Sequence, residues 1–269
     1  MTAATDHRPF VGKVALVAGA SRGIGAVTAR AFADAGAAVV LGSRDERALA
    51  EVAAGIRDKG GQALAVGTDV TDPASVERLV ASAVDEYGRL DAAFNNASNG
   101  PPPTPLADLD PAEFDRVIDS NVRGTFLGLR SEIRAMLPTG GGAIVNMASL
   151  AGVRGVANLS GYVAGKAGII GLTKVMAKEW GRYNVNVNAV GFGFIETRLT
   201  QALGGEIDVQ GRKIKVGVQE AAREALRAQN PLGRFGTAEE AAGPVLFFCS
   251  PLSDYVTGEV LLCSGGSRV

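Results

Sequence analysis

Histidine is nearly missing from this chain: His7 is the only one among 269 residues. Without a second imidazole, neither a Ser-His-Asp relay nor a histidine-ligated metal can be assembled. Cysteine is almost as scarce. Cys249 and Cys263 are too few for a thiolate zinc site. They sit in the apolar stretches VLFFCS and EVLLCS, which reads as buried free thiols in a reducing compartment. An excess of one charge is lacking too. With 27 basic and 28 acidic side chains the formal net charge is -1, so no cationic surplus exists to hold nucleic acid by counterion release. No run of about 18 apolar residues offers a membrane span, and the N-terminal MTAATDHRPF has no apolar core of a signal peptide. The expectation is a cytoplasmic protein with no metal centre, no nucleic-acid partner and no membrane partner.

What is present is apolar and rhythmic. Hydrophobic residues make up 46% of the chain, enough for a large core. Short β-branched runs fall at 13–19, 37–43, 63–70, 90–97, 142–149, 185–192 and 259–266, with helical patterns between most of them. Strands that read apolar throughout and alternate with helices predict a doubly wound parallel sheet covered on both faces. No break in composition marks a second domain. We therefore expect a flexible tail over 1–10 and one α/β domain over 11–269. The rhythm lapses from 198 to about 230, where Ile207, Val209, Ile214 and Val216 alternate around QGRK. That alternation predicts a β-hairpin.

Two stretches carry chemistry. VAGASRGIG ends the first strand and opens the first helix, with Gly19, Gly23 and Gly25 at the turn. Glycines let a pyrophosphate approach the backbone, and a helix N-terminus offers it free N–H donors and partial positive charge. Further on, SGYVAGKAG places Tyr162 and Lys166 one helical turn apart among small residues. Alone, that pair reads as a half-buried tyrosine near a solvated lysine.

The motifs taken together resemble the short-chain dehydrogenase/reductase family from about Gly12 to the C-terminus. They are GASRGIG (19–25), DV (69–70), NNAS (95–98), NVRGTF (121–126), NMAS (146–149), YVAGK (162–166) and GFIET (193–197), in order. The resemblance implies a Rossmann-type sheet of about seven parallel strands in a single domain. It implies Asn121, Ser149, Tyr162 and Lys166 as the catalytic set, closest in character to 3-oxoacyl-carrier-protein reductase-like ketoreductases. Tyr162 would act as acid/base on a small-molecule ketone, its pKa drawn down from about 10 by the Lys166 ammonium and the oxidised nicotinamide. Lys166 would also bond the nicotinamide ribose, Ser149 would polarise the carbonyl oxygen, and Asn121 would join a proton relay. Each has a plainer reading: Ser149 as a turn cap, Asn121 as a buried amide satisfying backbone groups. A dinucleotide-binding sensor without turnover would have no need of the set.

Cofactor contacts implied by the resemblance are Gly19, Ser21, Arg22, Gly23, Ile24 and Gly25 at the phosphate loop, and Asp69 and Val70 at the adenine. Asn95 and Ala97 would lie under the adenosine ribose, and Ile195 and Thr197 at the carboxamide, with Tyr162 and Lys166 beside the nicotinamide. The second strand ends VVLGSRDE, which puts Ser43 where an NAD-selecting acid would stand, with Arg44 next. NADPH is expected over NADH. Asp45 keeps the NAD-linked alcohol dehydrogenase as the alternative, and a capping box of Ser43 with Glu46 is the plain reading of SRDE. Four positions depart from the family pattern: Ser98, Gly165, Phe192 and Ser264. Phe192 is expected to place an aromatic near the substrate. The segment 198–230 is expected to be a substrate lid, and the family commonly forms tetramers, so a homo-oligomer is expected.

Overall fold

The computed structural model describes residues 8–267 apart from 101, 199, 203, 210 and 211. The first seven residues of the expected tail lie outside them. Phe10, also assigned to that tail, belongs to the core. Its ring is 2% exposed and meets Phe32 edge-on, with centroids 5.1 Å apart.

The chain alternates β1 Val14–Ala18, α1 Gly23–Asp34, β2 Ala38–Ser43, α2 Glu46–Arg57, β3 Gln62–Gly67, α3 Pro73–Tyr87 and β4 Ala92–Asn95. It continues through α4 Pro111–Ile118, α5 Gly124–Met136, β5 Gly142–Ser149, α6 Ser160–Trp180 and β6 Val185–Phe192. A β-hairpin follows, β7 Gly205–Val209 and β8 Arg212–Val216, then α7 Glu220–Ala228, α8 Ala238–Cys249 and β9 Val260–Cys263. Seven strands form one parallel sheet in the order β3-β2-β1-β4-β5-β6-β9. The seven runs legible in the sequence are these seven strands. The expected hairpin is present as an antiparallel pair with Ile207 opposite Ile214.

Both faces of the sheet are covered, and the period of two shows why its strands read apolar throughout. Ala15, Val17, Val39, Leu41, Phe94 and Val190 join Phe32, Leu49, Val245 and Phe248 on the face of α1, α2 and α8. Val14, Leu16, Ala18, Val40, Ala93 and Val187 join Leu79, Leu129, Ile133 and Met136 on the face of α3 and α5. After β3 the chain returns to pair β4 with β1. That reversal opens a crevice at the carboxyl ends of β1 and β4, where ligands bind in sheets of this kind.

Candidate active site

Helix N-termini fall into capped and uncapped sets: α5, α6 and α7, like α1, lack a side-chain cap. Side chains of Asp45, Asp72, Asp110 and Thr237 cap α2, α3, α4 and α8. Helix α1 has no side-chain cap and no acidic residue in its first turn, so its leading amides keep their affinity for an anion. Gly23 sits there at φ +57, and a Cβ on it would meet only Thr197 Cγ2, at 3.8 Å. The space over the helix start is open. A Cβ on Gly25 would strike the Gly19 carbonyl oxygen at 2.2 Å, so the turn closes only with glycine. Asn96, which sequence reasoning passed over, braces the loop by donating from Nδ2 to Gly19 O at 2.9 Å. The second asparagine of the NN doublet was its signal. An uncapped helix start behind an open glycine turn fits a dinucleotide pyrophosphate.

Around the loop, several expected contacts take more specific forms. Ser43 Oγ donates to Ser21 Oγ at 2.9 Å, and Arg22 is ion-paired with Asp45. The residue capping α2 is Asp45, which accepts from Ala48 N at 3.1 Å. The Ser43–Glu46 capping box is therefore not formed, because the helix starts two residues later than that reading requires. Arg44 is exposed and has no hydrogen-bond or ion-pair partner among the described residues. Ile24 and Ile195 send their side chains into the core, leaving their backbone groups at the loop surface. Asp69 Oδ1 accepts from Thr71 N and Oγ1, at 2.9 and 2.8 Å. Val70 packs against Gly124, where a Cβ would come within 3.1 Å of it.

Asn95 points the other way. From Nδ2 it donates to Glu132 Oε2 at 3.0 Å and Asn146 Oδ1 at 3.1 Å, and Asn146 donates to Thr173 Oγ1 at 3.0 Å. Its side chain thus ties α5, β5 and α6 together beneath the crevice. Ala97 contributes backbone, its N lying 2.8 Å from where a Gly19 Cβ would stand. Glu132 was not anticipated. It is 1% exposed, and burial pushes its carboxyl up to about 7, against a smaller downward pull from Asn95.

The reactive groups meet where β5 ends. Helix α6 is held by buried Ile169, Ile170 and Ala177 and presents Tyr162 and Lys166 from successive turns. Ser149, the last residue of β5, accepts from Ala151 N at 3.1 Å and hydrogen-bonds the Tyr162 phenol. The plain reading of Ser149 as a turn cap is met. Lys166 is wholly buried, donates to Met147 O at 2.9 Å and lies 5.6 Å from the Tyr162 ring centroid. Desolvation lowers its pKa to about 7.

The phenol departs from expectation. Burial pushes Tyr162 above its ordinary value, and the Ser149 hydrogen bond only partly opposes this. The neighbouring lysine is itself desolvated, which weakens its pull on the phenol; the other cation in that expectation, the oxidised nicotinamide, belongs to the dinucleotide complex.

Asn121 lies in a single π-helical turn, Asp119–Arg123, a distortion frequent at functional sites. Its Oδ1 accepts from Asn99 N at 3.0 Å and its Nδ2 donates to Asn99 O at 2.9 Å. The amide side chain holds the loop after β4. Gly165 faces it, and a Cβ there would press on Asn121 Cβ at 3.3 Å. Phe192 is 4% exposed and packs in the α1–α8 core. It is not an aromatic at the substrate, since the period of two puts it on the same face as Val190. Ser264 fills the space beside Gly193, where a Cβ would approach it at 2.8 Å.

Known proteins share this arrangement. A family model described as Enoyl-(Acyl carrier protein) reductase matches residues 19–268. Cis-4-hydroxycyclohexanecarboxylate dehydrogenase of Sinomonas cyclohexanicum is 39% identical over 96% of this chain and 97% of its own. The 3-oxoacyl-(acyl-carrier-protein) reductase FabG of Thermotoga maritima is 36% identical over 95% and 97%. A crystal structure of a short-chain type dehydrogenase/reductase from Mycobacterium marinum superposes with a TM-score of 0.85 at 36% identity, covering 97% of this chain and 98% of that one. The chain belongs to the short-chain dehydrogenase/reductase family, NAD(P)-binding oxidoreductases that interconvert alcohols and carbonyls.

Proposed function

We propose that this protein reduces a ketone to a secondary alcohol with NADPH, Tyr162 being the proton donor. The supporting observation is the convergence at the end of β5 of a neutral phenol, a hydroxyl bonded to it and a buried lysine. A dinucleotide held by its pyrophosphate at the glycine turn would supply the hydride for the carbonyl carbon. Tyr162 keeps its proton at neutral pH and gives it to the carbonyl oxygen as negative charge develops there. Ser149 orients that oxygen from the opposite side of the phenol. Lys166 titrates near 7, which suits it to returning a proton to the phenol between turnovers. A phenol held above its ordinary pKa favours reduction, since oxidation needs the phenolate. Replacing Tyr162 with Phe is expected to cut kcat by roughly 10²–10⁴-fold, the scale of one general acid, with dinucleotide affinity retained. Unchanged turnover would overturn the role.

Arg44 supports the choice of NADPH: it is exposed and unpartnered next to Ser43, with no carboxylate at position 43 to repel a 2′-phosphate. Arg44→Ala should weaken NADPH roughly 10–100-fold, the loss of one charge-assisted hydrogen bond, and leave NADH nearly unchanged. One observation favours the NAD-linked reading: Asp45 occupies Arg22, the second cation available to the phosphate. Equal loss for both dinucleotides in Arg44→Ala would support that alternative. The 3-oxoacyl reductase among the relatives supports a 3-oxoacyl ketone as one member of a screen, and the cyclohexanecarboxylate dehydrogenase supports cyclic ketones as another, with 198–230 proposed as the lid. We further infer a cytoplasmic homo-oligomer. Leu252 and Tyr255, 82% and 105% exposed near the edge strand β9, support the assembly.

A further inference from the structure

Helix α7 buries a single side chain, and it is an arginine. Arg223 has 8% of its side chain exposed, a costly place for a guanidinium unless it is fully paired. Its partners lie mostly in the segment that leaves β6. Nη1 donates to Thr200 O, and Nη2 donates to Glu196 Oε1 at 3.4 Å. Nε stands 3.3 Å from Glu220 Oε2 on its own helix. The guanidinium lies over the Phe235 ring at 5.2 Å, and Phe235 stacks on Phe194 at 5.5 Å.

Thr200 passes this hold inward. Its hydroxyl donates to Ile195 O at 2.5 Å and accepts from Thr197 N at 2.9 Å. Thr197 in turn lies 3.8 Å from the Cβ position of Gly23, at the phosphate turn. The segment emerges from β6 directly beside Ser149, which pairs with Phe192. Arg223 therefore braces the backbone between the phosphate turn and the reactive groups, together with the backbone bonds of Gly236 to Phe194 and Glu196 and the contacts of Arg227 with Glu196 and Phe235.

We propose that Arg223 is a positioning residue: it locks α7 to Glu196 and Thr200, so that closure over the substrate and the seat for the nicotinamide half of the cofactor form as one unit. The proposal rests on the dinucleotide reading above. It has a signature that general destabilisation lacks, because the adenosine half binds against β1, β2 and β4, which Arg223 does not touch.

The test compares NADPH with 2′-phospho-ADP-ribose, which lacks the nicotinamide, by fluorescence or calorimetry on the full-length chain. Should NADH bind tighter, NADH and ADP-ribose take their places. Arg223→Met should weaken the dinucleotide roughly tenfold or more and leave the truncated ligand within about twofold, with Arg223→Lys in between. If Arg223→Met does not fold, Glu196→Gln, on an exposed side chain, should give the same selective loss in smaller measure. Equal losses for both ligands, or none for either, would overturn the proposal. Failure of the wild type to bind either ligand would overturn the dinucleotide reading itself.

Discussion

Helices α6 and α7 both flank the crevice, yet they are held by opposite means. Helix α6 buries Ile169, Ile170 and Ala177, and anchors Thr173 to the sheet through Asn146, Asn95 and Glu132. Helix α7 buries only Arg223 and is held by charged and backbone contacts at its surface. Apolar burial is contiguous and insensitive to salt, whereas exposed ion pairs contribute little each and are screened. The reacting groups thus stand on an element that the core fixes. The segment proposed as the substrate lid stands on one with little apolar anchorage, in keeping with mobile segments being drawn from the less stable parts of a fold.

Substitutions can sharpen that contrast. The largest effect is expected at the anchor of α6. Glu132 has its carboxyl raised from 4.5 to about 7 by burial. Below the unfolded value both states are protonated and burial of the carboxyl carries no ionic penalty. Between the unfolded value and about 7 the unfolded chain ionises while the folded carboxyl keeps its proton, so stability falls across that window and levels off once the folded group ionises too. Glu132→Gln keeps an oxygen acceptor for Asn95 without the charge. It should gain about 3 kcal/mol over wild type at pH 8 and only about 1 kcal/mol near pH 5. Urea unfolding at both pH values checks this, and an equal gain at both would remove the ionic explanation. A smaller effect is expected near the α7 segment. Thr237 caps α8 in a reciprocal box with Glu240, which Arg234 also holds. Thr237→Ala should cost about 1 kcal/mol, read as a lower urea midpoint with turnover per folded molecule preserved.

The sheet was legible because parallel strands buried on two faces leave uninterrupted apolar runs. The Tyr162–Lys166 pair was legible because helical spacing alone puts both on one face. Side-chain direction at strand ends was harder to read. Phe192 seemed to belong to the substrate, although counting by twos from Val190 turns it into the core. Asn95 likewise turns inward because it pairs with Asn146 across β4 and β5. Glu132 looked like one more polar residue of an amphipathic helix, since no local pattern shows that α5 turns it toward the sheet. Desolvation escaped the sequence altogether. Spacing brought a cation to Tyr162 but could not show that burial would lower the lysine pKa and raise that of the phenol.

That proton is the most direct thing to measure. Tyrosinate absorbance, followed through a pH titration of wild type against Tyr162→Phe without dinucleotide, isolates the one phenol. The difference signal is predicted only above the ordinary tyrosine pKa of about 10. A phenolate at residue 162 near neutral pH would contradict the neutral proton donor.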